Sequence, residues 1–195
     1  MPEREEELSS GDALKQDLFL WLQTMSIALV VLILLFTFVG RVVGVDGSSM
    51  EPTLQNGDLL LLQSIAYTPK QGDIVVLTKP FGQVDGAIVK RVIAVGGQQV
   101  DIDYDAGTVS VDGVVLDEPY IKEAMVEPPA SSFETITSVL VPEGSVFVMG
   151  DNRNRSDDSR DTRLGVVDEQ YILGRAVAVL LPVGRFGLLE RPVYS

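Results

Sequence analysis

Residues 87–95 read AIVKRVIAV and stop at Gly96-Gly97. A short apolar run rich in β-branched residues and closed by a glycine pair suits a β-strand. Side chains alternate along a strand, so Ile88, Lys90 and Val92 share one face, and Val89, Arg91 and Ile93 the other. The two adjacent cations therefore point in opposite directions. Either the strand is an edge from which both long side chains reach water, or an amine is buried among apolar groups.

The flanking segments repeat the pattern. DLLLLQSI follows Asn56-Gly57, and DIVVLT follows Gln71-Gly72. QVDIDY and TVSVD alternate apolar with polar residues and flank Asp105-Ala106-Gly107, a hairpin signal. VVL follows Asp112-Gly113, and SVFVMG and ILGRAVAVLL complete the set. The expected fold is mainly β: an antiparallel β-sheet domain over residues 41–195. Within it, the looser stretch Glu118–Pro142, with Pro119, Pro128, Pro129 and Pro142, belongs to a hairpin and loop excursion over about residues 96–142.

Ahead of the β segments, Leu18–Gly40 runs 23 residues without a charge. As a helix it extends about 34 Å, enough to cross a hydrocarbon core of about 30 Å. The run is longer than that of a cleavable signal, and the start, MPEREEELSSGDALKQD, is acidic rather than basic. The expectation is a tail over residues 1–17 and an uncleaved transmembrane anchor over residues 18–40. Arg4 and Lys15 precede the span, and Arg41 alone follows it before Lys70, which favours a cytoplasmic N-terminus and an extracytoplasmic β domain.

Composition removes many mechanisms. The chain has 195 residues, 28 acidic and 15 basic, a net charge of −13, and neither His nor Cys. Ser-His-Asp catalysis, a Cys nucleophile, disulfides and His/Cys zinc sites are all excluded. The acidic balance opposes binding of nucleic acid. Acid–base work falls to Lys, Asp, Glu or Tyr. Of the five lysines, Lys15 precedes the span, Lys70 and Lys79 sit in or beside turns, and Lys122 is in the excursion. Lys90 alone has an apolar setting. At an ordinary pKa of about 10.4 only about 0.1% of it is neutral near pH 7.4, so a basic role requires the large depression that burial supplies.

Two other segments break the β pattern. Asp46-Gly47-Ser48-Ser49-Met50-Glu51-Pro52-Thr53-Leu54 is a glycine-containing turn able to present a serine hydroxyl and backbone N–H groups to one point, as a nucleophile with an oxyanion hole requires. It also reads as a plain linker. Gly150-Asp151-Asn152-Arg153-Asn154-Arg155-Ser156-Asp157-Asp158-Ser159-Arg160 continues to Arg163 with acids and arginines in equal number. An EF-hand is excluded, because arginines fall where ligands 3 and 5 belong and Thr162 where the closing Glu belongs. A solvated loop is the plain alternative. The balance of charge points to Asp–Arg pairs holding a rigid loop.

Together, in this order, the anchor, Gly-Ser-Ser-Met-Glu-Pro-Thr-Leu, Gly-Asp-Ile-Val-Val, Val-Lys-Arg-Val-Ile and Gly-Asp-Asn-Arg-x-x-Ser-x-Asp-Ser-Arg closely resemble bacterial type I signal peptidase over nearly the whole chain. The resemblance implies a signal peptidase/LexA-like β fold and a membrane-bound serine endopeptidase that removes N-terminal signal peptides from exported preproteins after an Ala-x-Ala-like end. It implies Ser49 as nucleophile, Lys90 as general base, and Ser156 as a second hydroxyl holding the amine. Asp151, Arg153, Asp158 and Arg160 match a structural charge set, with Asp158 expected to pair with Arg160 and to face away from the amine. The oxyanion site is expected at Ser49 N–H. Gly47 stands where many Gram-negative members carry a hydroxyl, as Gram-positive members tend to, which leaves the second donor open. Asp46, Met50, Leu54, Ile88 and Val89 are the expected substrate pocket. No metal or cofactor is implied. The partners implied are preproteins and the lipid bilayer, with the enzyme a monomer in the bacterial plasma membrane. A soluble self-cleaving repressor of the LexA type shares the Ser-Met and Val-Lys-Arg pieces, but the Leu18–Gly40 span and the Asp151–Arg163 loop oppose it.

Overall fold

The computed structural model describes residues 10–38, 41–80, 86–126, 128, 134–192 and 194. Residues 1–9 of the expected tail, residues 39–40 of the expected span and Pro129 lie outside the described residues. The chain divides into two units at Val39 and Gly40.

The first unit is a single helix, α1 (Ser10–Phe38). It begins before Leu18, so residues 10–17 of the expected tail are helical; Leu14, Lys15 and Gln16 are good helix formers. Its stretch Leu14–Ile33 is 20 residues long, has a mean hydropathy of 1.7 and buries nothing within the protein, so it is long and apolar enough to cross a membrane. Thr24 and Ser26 donate their hydroxyls to the carbonyls of Leu20 and Leu22 at 2.8 Å. These two hydroxyls are thereby satisfied within the helix, as a lipid environment requires.

The second unit is built of β1 (Arg41–Gly44), β2 (Leu59–Gln63), β3 (Ile74–Leu77), β4 (Ile88–Val95), β5 (Gln99–Asp103) and β6 (Thr108–Val111). It continues with β7 (Val114–Val115), β8 (Ser138–Leu140), β9 (Ser145–Met149), β10 (Val167–Asp168), β11 (Ile172–Leu181) and β12 (Gly187–Leu188). The larger sheet runs β1-β2-β11-β3-β4-β9-β10, with β12 on β11, and the smaller runs β7-β6-β5-β8. Every pairing is antiparallel. β5 and β6 form the expected hairpin around Asp105–Gly107. β1, β8, β10 and β12 are too short to announce themselves by alternation; β8 places a paired strand inside the stretch expected to be loop.

β4 decides the interior. It lies between β3 and β9, so the edge-strand reading of AIVKRVIAV fails. Both faces are covered, and Lys90 and Arg91 are only 4% and 2% exposed. An irregularity between Val92 and Ala94 breaks the strict alternation. Ile93 and Ala94 consequently both join Phe147, Met149 and the apolar face of the smaller sheet, Val100, Ile102, Val109 and Val111. Val89 packs instead with Val45, Met50, Leu54, Leu60, Leu62 and Val76. Val92 packs with Val75, Leu77, Val146 and Val148.

Leu62 is fully buried between β1 and β11, whereas Val114 on the outer strand of the smaller sheet is 55% exposed. Leu62→Ala is expected to lower the stability of the β unit by about 2–5 kcal/mol, and Val114→Ala by less than about 0.5 kcal/mol. Denaturant unfolding of the full chain in detergent, followed by near-ultraviolet circular dichroism, checks the contrast.

Candidate active site

The turn after β1 is fixed by backbone bonds at its neck. Val45 N–H donates to Asp58 O at 2.8 Å, and Gly57 N–H to Val45 O at 2.9 Å. Inside the neck, Gly47 has φ +92°, a left-handed conformation that favours glycine. Its N–H donates to Asn56 Oδ1 at 3.0 Å. A second set of bonds ties the turn to the segment after β9. Asn152 donates its N–H to Ser49 O and its side-chain amide to Ser48 O, each at 3.0 Å. Gly150 permits that approach: a Cβ there would stand 2.5 Å from Ser49 O and 2.3 Å from Ser156 Oγ.

Ser49 is thereby held over β4. Its Oγ and Lys90 Nζ are hydrogen-bonded at 2.8 Å, and the amine also donates to Val89 O at 3.1 Å. Burial pushes the Lys90 pKa down from 10.5 to about 8. The charges of Asp158, Asp157 and Asp151 act against that depression, and Arg160 acts with it. Among the described residues no carboxylate lies within ion-pairing distance of the amine. Nor does any described residue accept the Ser48 or Ser49 N–H, which leaves two backbone donors available at the turn.

Two of the acids near the amine, Asp158 and Asp151, are matched by arginines. Asp158 accepts from Arg160 Nε and Nη2 at 2.8 Å each, and from Gly150 N–H at 2.9 Å. Burial alone would raise its pKa; Arg160, the Gly150 N–H and the neighbouring Ser156 hydroxyl more than offset this and hold it below the ordinary carboxylate value. Asp151 accepts from Arg91 Nε at 2.8 Å and Nη2 at 2.7 Å, and from Thr53 Oγ1 at 2.5 Å. Arg153 pairs with Glu118, and its Nε donates to Gly150 O at 3.1 Å.

A cleft of about 430 Å³ opens over the pair, lined by Val45–Met50, Gly86–Lys90, Arg155 and Asp157. Among the described residues, no group of His, Cys, Asp and Glu side chains is arranged to hold a metal ion.

The structure brings Ser49, Lys90, Gly47, Asp46, Met50, Ile88 and Val89 to this cleft. Leu54 lies behind it, fully buried in the core beside Met50 and Val89, where its side chain is beyond a ligand's reach. Gly47 supplies conformation rather than an oxyanion donor, since Asn56 occupies its N–H. Ser156 Oγ is buried beside Asp158 and has no partner in full hydrogen-bond geometry; it does not hold the amine here. The Asp158–Arg160 pair forms as expected, yet the Asp158 charge still reaches Lys90. Arg91, Glu118 and Asn152 were not picked out from the sequence. The signal for Arg91 was available: a cation in an apolar run requires an acid, and β4 pairs with β9, which places Arg91 opposite Met149 and within reach of Asp151.

Moving the Lys90 pKa to about 8 makes its protonated form about 3 kcal/mol less favourable in the fold than in water. Below pH 8 both states hold the proton and the fold bears this penalty. Between pH 8 and 10.5 the unfolded chain still binds the proton that the fold has released, so stability rises with pH. Lys90→Met is therefore expected to be more stable than the parent at pH 7 by up to about 3 kcal/mol, with the gain vanishing toward pH 10.5. Denaturant titrations at the two pH values check it; equal gains at both would contradict it.

Comparison with known proteins places the chain in a family. Residues 18–181 match the family described as signal peptidase, peptidase S26. A probable signal peptidase I-1 of Synechocystis is 40% identical over 174 residues, covering 85% of this chain and 83% of the relative. A signal peptidase I of Bacillus licheniformis is 36% identical, covering 86% and 91%. A crystal structure of a signal peptidase I from Enterococcus faecalis V583, 31% identical, covers 59% of this chain and 98% of that one with a TM-score of 0.43. By the length matched and the identity of its relatives, the chain belongs to the peptidase S26 family of signal peptidases, which are serine endopeptidases.

Proposed function

We propose that this chain is a membrane-anchored endopeptidase that removes N-terminal signal peptides from exported preproteins, with Ser49 as nucleophile and Lys90 as general base. The observation that carries the reading is the 2.8 Å contact between Ser49 Oγ and a buried lysine whose pKa is near 8. A lysine of that pKa is substantially neutral at mildly alkaline pH and can take the serine proton.

The steps follow from the groups present. Ser49 Oγ attacks the carbonyl carbon of the scissile bond as its proton passes to Lys90 Nζ. The oxyanion accepts from backbone N–H groups at Ser48 and Ser49. The C–N bond breaks, and the lysine ammonium returns its proton to the departing amine. A water, deprotonated by Lys90, then attacks the ester; Ser49 regains a proton and the signal peptide leaves as the acid. Ser156, whose hydroxyl lies beside Asp158, is the second hydroxyl that the family resemblance implies near the amine. All groups come from one chain, so a monomer suffices.

The substrate adds as an extended strand between residues 46–49 and Ile88–Val89, giving main-chain bonds and small side-chain sites. Val45, Met50, Ile88 and Val89 make those sites apolar and shallow, which suits Ala-x-Ala-like ends. Residues 18–40 anchor the enzyme in the bacterial plasma membrane by one span. The two basic residues before it against one after it place the N-terminus in the cytoplasm and residues 41–195 outside.

Ser49→Ala and Lys90→Ala, assayed in detergent on a preprotein ending in Ala-x-Ala, are each expected to lose at least about 10³-fold in kcat/KM. Undiminished cleavage by either variant would sink the reading. For the parent enzyme, kcat/KM is expected to rise with pH through a limb near 8, because the active form is the neutral amine. A limb near 10 would show that Lys90 is not the desolvated base.

A further inference from the structure

The segment after β12 is tied to the back of the catalytic machinery at two points. Arg191 donates Nε and Nη2 to Asp73 Oδ1 at 2.9 and 2.6 Å. Pro192 packs on Gly72, where a Cβ would stand 3.1 Å from Pro192 Cδ and 2.8 Å from Arg191 Cγ. Tyr194 meets Tyr120 edge to face, with centroids 6.3 Å apart at 81°, and the two hydroxyls are hydrogen-bonded at 2.9 Å.

Both contacted groups hold Arg91. The Arg91 Nη1 donates to Gly72 O at 3.0 Å, and its guanidinium carbon lies 4.0 Å from the Tyr120 ring centroid. The Tyr120 hydroxyl also donates to Glu118 Oε1 at 2.7 Å, the acid that Arg153 grips. Arg91 adjoins Lys90 in β4 and grips Asp151, whose neighbour Asn152 holds the carbonyls of Ser48 and Ser49. One continuous set of packed and hydrogen-bonded groups thus runs from Tyr194 to both members of the proposed dyad. The set is aromatic and guanidinium in character, so its contacts fix direction as well as distance.

We propose that Tyr194, supported by Arg191, is a positioning residue: by pinning Tyr120 and the Gly72 turn it fixes Arg91, and through Arg91 and its partner Asp151 it sets the Lys90–Ser49 geometry. The inference rests on the proposed roles of Ser49 and Lys90. Loosening this set leaves the Asp151 charge less closely matched by Arg91, and that charge raises the Lys90 pKa, so the amine moves toward its ordinary, more basic behaviour.

The test uses the full chain in detergent, with Tyr194→Ala and Tyr194→Phe measured beside the parent and Lys90→Ala. Tyr194→Ala is expected to lose about tenfold or more in kcat with KM within about twofold, the loss that a small misplacement of reacting groups produces. Its ascending pH limb should move to higher pH, and amide exchange in residues 88–92 and 150–153 should quicken. Tyr194→Phe keeps the ring contact and should stay within about threefold of the parent. Should the alanine variant not fold, Tyr194→Leu, which keeps bulk without the edge-to-face contact or the hydroxyl, is read by the same quantities. An unchanged kcat and limb would overturn the proposal, and so would a fall in kcat with the limb and the exchange unchanged. If Lys90→Ala still cleaved, the dyad reading would fail separately, and the exchange rates in β4 would still report whether Tyr194 holds Arg91.

Discussion

A buried amine next to a serine hydroxyl is the constraint on which the rest of this structure depends. For Lys90 to be a base near pH 8 it must be dry, and it must not share its cavity with a free carboxylate. Yet the segment that holds Ser49 in place, residues 150–161, is full of acids. Burial of Lys90 meets the first condition, and the protein meets the second for its buried acids by giving them their own cations. Asp151 takes Arg91, Asp158 takes Arg160, and Glu118 takes Arg153, each a bond between buried groups. Such pairs add little net stability once desolvation is counted. Their contribution here is direction: they match the negative charge that would otherwise raise the lysine pKa further, and hold the backbone where Ser49 needs it.

The fold delivers these partners by register. Antiparallel pairing of β4 with β9 sets Arg91 opposite Met149, so the chain leaving β9 reaches Arg91 with Asp151 and the nucleophile turn with Asn152. The turn itself is closed at the Val45–Asp58 neck and shaped by Gly47. Gly150 lets the two segments approach closer than any side chain allows. The excursion between β4 and β9 is part of the same assembly. Its Glu118 and Tyr120 sit against Arg153 and Arg91, and the backbone N–H of Lys122 donates to Asp151 O at 3.1 Å. These contacts give the loop-rich stretch a purpose that its composition does not disclose.

Much of this was legible in the sequence. Short β-branched runs between glycine turns announced an antiparallel β unit, and an uncharged run of 23 residues announced the helix before it. The absence of His and the apolar setting of Lys90 singled out one amine. What remained hidden depends on contacts between segments distant in the chain. The burial of Arg91 stayed open because alternation does not say whether a strand is an edge. Leu54 looked like a pocket residue because nearness to Ser49 in sequence does not say on which side of Met50 it packs. The pairing of Arg153 with Glu118 rather than with an acid of its own loop is likewise a product of tertiary packing, and the short strands β8, β10 and β12 exist only through their partners.

The most direct test is a nitrogen-15 nuclear magnetic resonance titration of the Lys90 side-chain amine in the full chain in micelles, assigned by its disappearance in Lys90→Met. A titration centred near 8, well below the ordinary lysine value, is the result this account predicts. A Lys90 amine that titrates near the ordinary value of about 10.4 would contradict it.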